Sequence, residues 1–166
     1  GFPDGTFHPY AIVARADMAA FLYRLAGEPA FDETSAPRFS DVSSSTPHRR
    51  AILWLAFRGI SKGWDNGDGT FSFRPYANVA RADMAAFLYR LAGSPKYDET
   101  AVMSFRDVPM SAPHRKAILW LASSGVSMGW DEGGGIYSFR PYLGVARADM
   151  AAFLHRMDEY GLAKRA

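Results

Sequence analysis

The sequence contains no cysteine. Disulfides, zinc–thiolate centres and thiol nucleophiles are thereby excluded, though secretion is not, since many secreted bacterial proteins lack the residue. No apolar run approaches the roughly 20 residues a membrane helix needs, so membrane insertion is not expected. No signal peptide opens the chain, which starts at Gly1-Phe2-Pro3-Asp4-Gly5. Charge of one sign is scarce: 19 basic and 17 acidic residues leave a formal net charge of +2 and a pI near 9.0, too small an excess to point to nucleic acid. The four histidines form no cluster. His48 and His114 are copies of one position, and His8 and His155 stand where other copies carry Arg and Tyr, so neither a zinc set nor a catalytic triad emerges. Asp65-Asn66-Gly67-Asp68-Gly69 has acids without the alternation of a calcium loop, and turn chemistry accounts for it. No nucleophile, phosphate loop or acid pair stands out, and symmetric duplication argues against catalysis, because an active site usually uses a residue once. No enzyme, metal or cofactor is expected. What the chain does have is 48% hydrophobic and 22% charged residues over 166 positions, the balance of a folded protein of one domain, or two small ones, with a true core.

An internal repeat dominates. Arg15-Ala16-Asp17-Met18-Ala19-Ala20-Phe21-Leu22 recurs at Arg81 and again at Arg147, both times at an offset of 66. Trp54 maps to Trp120, Trp64 to Trp130 and Arg74-Pro75-Tyr76 to Arg140-Pro141-Tyr142 at the same offset, and from Phe39 and Phe105 onward about two thirds of aligned positions are identical. Such spacing marks a duplicated unit that buries its apolar face only by packing on its neighbours. The first half of each unit opens with Phe39-Ser40-Asp41-Val42 (Phe105-Arg106-Asp107-Val108). It continues into a short buried helix that Thr46-Pro47 is expected to start and Gly59 or Gly125 to end. Trp54 and Trp120 belong to its apolar core. A Gly-rich loop follows at Gly63–Thr70. The second half places Met84, Phe87, Leu88 and Leu91 on one face of a helix closed by Gly93. Met18, Phe21, Leu22 and Leu25 repeat that face, as do Met150, Phe153, Leu154 and Met157. Gly27-Glu28-Pro29 and Gly93-Ser94-Pro95 open the linkers between units.

These residues resemble the S-layer homology repeat. Its marks are the Phe-x-Asp-Val opening, an Ala-Ile-x-x-Leu helix (Ala51-Ile52-Leu53-Trp54-Leu55), Gly59-Ile60 or Gly125-Val126, a Gly-rich loop ending Phe-x-Pro, and a Thr-Arg-Ala-Glu helix start. The chain reads Ala-Arg-Ala-Asp at that start, at Ala14–Asp17, Ala80–Asp83 and Ala146–Asp149. The resemblance covers nearly the whole chain. It implies an all-α fold of tandem helix-loop-helix repeats, packed with pseudo-three-fold symmetry around a three-helix cluster. It also implies a non-catalytic, secreted, cell-wall-binding module that anchors a surface protein to anionic cell-wall polysaccharide, whose acidic group, such as a pyruvate ketal, is held by the repeat Arg in grooves between repeats. The Thr→Ala and Glu→Asp departures resemble the variant of high-GC Gram-positive bacteria. The alternative is a protein-interaction or self-assembly module of a surface protein.

The candidate ligand-binding residues are Arg15, Arg81 and Arg147, with Trp64, Trp130, Arg74 and Arg140. An Arg in a helix's first turn faces the positive end of the dipole. It makes sense there beside free amides if an anion binds, and Ala14, Ala80 and Ala146 cannot cap those amides. The other reading pairs each Arg with a carboxylate, for instance that of the Phe-x-Asp-Val segment. Asp17, Asp83 and Asp149 read as dipole partners. Trp64 and Trp130 either stack on sugar rings or anchor their loops. Phe2 takes that place in the first copy, and His8 replaces Arg74, so the copies are not equivalent. By this reading residues 1–27 are the second half of repeat 1, 28–93 repeat 2, 94–158 repeat 3 and 159–166 a tail. The absence of a first Phe-x-Asp-Val helix predicts an exposed apolar patch on the first copy, through which the chain would self-associate.

Overall fold

A computed structural model describes Gly1 and residues 3–163. Phe2, the expected loop aromatic of the first copy, and residues 164–166 of the tail lie outside the described residues. The chain is helix-rich: α1 (Arg15–Leu25), α2 (Arg49–Phe57), α3 (Arg81–Leu91), α4 (Arg115–Ser123) and α5 (Arg147–Glu159). This agrees broadly with the expected all-α fold, with one addition: two of the Gly-rich loops fold as small antiparallel hairpins. Strands β1 (Trp64–Asp65) and β2 (Phe71–Ser72) pair with Trp64 opposite Ser72, and β3 (Trp130–Asp131) and β4 (Tyr137–Ser138) pair with Trp130 opposite Ser138. The cause is turn chemistry. The carboxylates of Asp65 and Asp68 accept the amides of Gly67 and Thr70, reversing the chain so that Phe71 returns opposite Asp65.

Helix α2 starts two residues later than Thr46-Pro47 signals. His48 takes a left-handed φ of 57°, and His114 does the same at 58° before α4. Thr46 and Pro47 therefore form a turn closed by Arg49 N–H on the Thr46 carbonyl. The expected ends hold: Gly59 and Gly125 follow α2 and α4 with φ of 65° and 75°.

Helix α2 packs on α1 and α4 on α3. The two tryptophans fill these joints. Trp54 lies 5.3 Å from the Tyr23 ring and Trp120 lies 5.5 Å from Tyr89, and both tryptophans are buried. Beneath each hairpin Phe39 meets Phe73 and Phe105 meets Phe139. Asp41 ties its segment down by accepting the amides of Phe73 and Arg74 at 2.7 Å, and Asp107 does so for Phe139 and Arg140. Gly63 passes so close to this joint that a Cβ would stand 2.6 Å from the Phe39 ring and 2.7 Å from the Ser72 carbonyl, at a φ of 72°. Gly63→Ala is expected to cost about 2 kcal/mol or more through overpacking and backbone strain, read as a lowered urea midpoint.

The segments before α1, α3 and α5 are joined head to tail. Val13 N–H bonds the Val145 carbonyl, Val145 N–H that of Val79, and Val79 N–H that of Val13, at 2.9–3.0 Å. All three valines are fully buried. The apolar surface expected on the first copy is divided differently. Helix α2 covers the apolar face of α1, but Phe7 is 45% exposed where its equivalents Phe73 and Phe139 are 0%. The larger uncovered face is on α5. There Ala148 and Ala151 are exposed, although the matching Ala16, Ala19, Ala82 and Ala85 are buried under α2 or α4.

Candidate functional site

Arg15 leaves the first residue of α1 and turns inward, with only 3% of its surface exposed. Its Nε donates to the Phe73 carbonyl at 2.8 Å. The guanidinium carbon sits 4.1, 4.7 and 5.2 Å from the ring centres of Trp64, Phe73 and Phe87. Arg81 repeats this in the next copy, with Nε on the Phe139 carbonyl at 2.9 Å and its guanidinium against Trp130, Phe139 and Phe153. Burial disfavours the charged form and brings both arginines down to about 10, still cationic at neutral pH. As the alternative reading expects, each pairs with a carboxylate of the next repeat, Arg15 with Asp83 at 4.0 Å and Arg81 with Asp149 at 3.8 Å, ion pairs without a hydrogen bond. The Phe-x-Asp-Val carboxylate is spent on backbone amides instead. Among the described residues Arg15 therefore makes one side-chain hydrogen bond, through Nε, and its terminal nitrogens line an open groove.

The argument from free helix-start amides does not survive. Arg15 and Ala16 N–H bond the Ala77 and Pro75 carbonyls, Arg81 and Ala82 those of Leu143 and Pro141, and Arg147 and Ala148 those of Ala11 and Pro9. Backbone from another copy does the work of the missing cap at these two positions of each helix.

Two grooves result. The first, of about 230 Å³, runs between Arg15, Lys62 and Trp64 on one side and Asp83, Phe87, Arg90 and His114 on the other. The second, of about 330 Å³, has Arg81, Met128 and Trp130 facing Asp149, Phe153 and Arg156. At the third copy the hollow beside Arg147 is smaller and apolar, lined by Phe7, Phe21, Met150 and Leu154. Arg147 donates Nε to the Phe7 carbonyl at 2.8 Å without the burial of its two counterparts. Arg74 and Arg140 stand outside the groove walls. They lie 4.6 and 4.4 Å from the Trp64 and Trp130 ring centres, so each tryptophan carries two guanidinium contacts. Arg140 also pairs with Glu132 at 3.2 Å.

Several groove residues were not singled out from the sequence. Arg90 and Arg156, in the last turns of α3 and α5, donate to the Ile60 and Val126 carbonyls at 3.0 and 2.9 Å, which fixes them in the walls. Their recurrence at one repeat position was the available signal. Asp83 is more than a dipole partner. The His114 hydrogen bond first, and the Arg15 charge after it, hold its carboxyl below the ordinary 3.8. His48 and Asp17 form the same pair in the first copy, at 3.3 Å. Among the described residues no His, Cys, Asp and Glu side chains gather as a metal site, and no helix is long and apolar enough to cross a membrane.

Duplicated helix pairs, hairpins that clamp a buried arginine, and grooves between copies define a repeat-built helical module. The S-layer homology domain model matches residues 38–85 and 104–151, and the chain belongs to that family, whose domains are non-catalytic. It is 31% identical over 165 residues to an S-layer protein of Bacillus licheniformis, covering 96% of this chain and 17% of that one. It is 26% identical over 170 residues to cell surface glycoprotein 1 of Acetivibrio thermocellus, covering 97% and 7%. A cellulosome-anchoring protein of the same organism matches at 30% over 114 residues, covering 67% and 24%. The chain thus spans less than a quarter of the length of each of these relatives.

Proposed function

We propose that the chain is a non-catalytic cell-surface module that holds a secreted or surface protein to the cell wall by binding anionic wall polysaccharide in the grooves at Arg15 and Arg81. The observation that carries this is the pair of buried guanidinium groups. Each is oriented by one backbone carbonyl and an aromatic cage, pairs with one acid across the groove at 3.8–4.0 Å and shows no hydrogen bond from its terminal nitrogens. A desolvated cation with unused donors is stabilised by an incoming carboxylate. Trp64 and Trp130 serve as the arginine clamps and as groove wall against the sugar, Arg74 and Arg140 brace the tryptophans from outside, and Arg147 is the weakest of the three sites. Relatives named for S-layers and for anchoring support the surface role. The valine hydrogen-bond ring supports a pseudo-three-fold arrangement of α1, α3 and α5, with repeats at 28–93 and 94–158 around it.

The test is sedimentation with purified cell walls, native and stripped of their polysaccharide. The chain is expected to pellet with native walls alone. Equal pelleting with stripped walls, or none with native walls, would sink the reading.

The self-assembly reading rests on the uncovered α5 and Phe7 face. It matches the surface that α2 covers on α1 and that Phe39 covers on Phe73, so a Phe-x-Asp-Val helix from another chain fits it. Concentration-dependent sedimentation velocity separates this from wall binding.

A further inference from the structure

The two grooves share one plan and differ in charge. Around Arg15 stand Lys62, Arg74 and Arg90 against Asp83 in the groove wall and Asp41 behind it. The Asp83 carboxylate is shared with His114 at 3.4 Å, and among the described residues no carboxylate pairs with the Arg74 guanidinium. Around Arg81 stand Arg140, Arg156 and, beside Glu132, Arg106, against Asp149, Asp107 and Glu132, with Glu132 bound to Arg140. Two substitutions between copies lower the charge of the second groove, Met128 for Lys62 and Glu132 for Asn66, and a third, Arg106 for Ser40, offsets part of it, which leaves Lys62 as the main difference. None changes the clamp, since the Arg-to-Trp distance is 4.1 Å in both. The repeats have kept the geometry and changed the electrostatics.

We propose that the Arg15 groove is the principal anion site, taking a glycan segment with acidic groups on successive sugars, and that Lys62 is the residue that sets this preference. The proposal rests on the groove reading above. One acidic group lies on the fork of Arg15, where burial strengthens the attraction. A second meets Lys62, an exposed cation at the groove mouth. The Arg81 groove offers a thioether at that point and takes a segment with a single acid beside neutral sugar.

The two groove tryptophans report separately. Their indole N–H signals in ¹H–¹⁵N NMR follow titration with trigalacturonate, which carries an acid on every sugar, with maltotriose as the neutral control and purified wall polysaccharide alongside. The Trp64 signal is expected to reach half-saturation at about 3–10-fold lower trigalacturonate than Trp130, the size of one or two partly exposed charge contacts, and the gap should narrow with added salt. Lys62→Met should bring the midpoints within about twofold, and Met128→Lys should draw the Trp130 midpoint down; both positions are exposed, so the fold is kept. Equal midpoints in the unaltered chain, a gap that survives Lys62→Met, or no response to trigalacturonate while wall polysaccharide moves both signals would each overturn this proposal and leave the groove reading standing. Silence of both indoles toward wall polysaccharide as well would overturn the two together.

Discussion

Arg15→Met is expected to weaken glycan binding at its groove by about 10–100-fold while the chain stays folded. Methionine keeps the unbranched apolar stem and much of the volume between Trp64, Phe73 and Phe87. It removes the fork that would grip a carboxylate, and a lost charge-assisted hydrogen-bond pair is worth about 1.5–3 kcal/mol. The stability cost is smaller. The Phe73 carbonyl loses its 2.8 Å donor, at about 1–2 kcal/mol, but a desolvated cation also leaves the interior, and that removal is favourable. Arg15→Ala would instead open a cavity and cost about 3 kcal/mol or more, confusing the two effects. Calorimetric titration with wall polysaccharide, paired with a urea melt, separates them. Unchanged affinity in a folded Arg15→Met chain would make the arginine a structural clamp and nothing else.

Trp54→Ala should be the most damaging single truncation, at about 3–5 kcal/mol against a total stability of about 5–15 kcal/mol for a domain of this kind. Trp54 is 1% exposed and sits at the centre of the α1–α2 joint against Tyr23. Its loss empties the contact that binds one repeat to the next. Trp64→Ala should cost less, because its ring is half-buried at a hairpin edge. Its main effect should be to loosen Arg15 and so weaken binding. The contrast between two tryptophans ten residues apart is read in one pair of urea melts. A Trp54→Ala chain within about 1 kcal/mol of the unaltered one would show that the joint is held elsewhere.

The helices were legible because their signals are local and occur in several copies. Met84, Phe87, Leu88 and Leu91 declare one buried face by spacing alone, and all four are buried. The hairpins were not, since their strands are two residues long and are made by the Asp65 and Asp68 turns rather than by alternation. The arginines were found as candidates for a reason the structure replaces. The helix-start amides they were thought to leave free are held by carbonyls from another copy. Lys62, Arg90 and His114 come from separate elements, and nothing in their neighbours along the chain reveals the groove they share.

By itself the sequence determined the repeat, its period, the apolar faces of α1, α3 and α5, the glycine ends of α1 to α4 and the family resemblance. These follow from spacing and from backbone preferences that act within a few residues. Only the tertiary structure decided which helix covers which, that α5 rather than α1 keeps an open face, and that each buried arginine is clamped by a carbonyl 58 residues away. Those outcomes depend on contacts between copies. Near-identical repeats cannot encode them locally, because one residue pattern serves a covered face in one copy and an uncovered face in another.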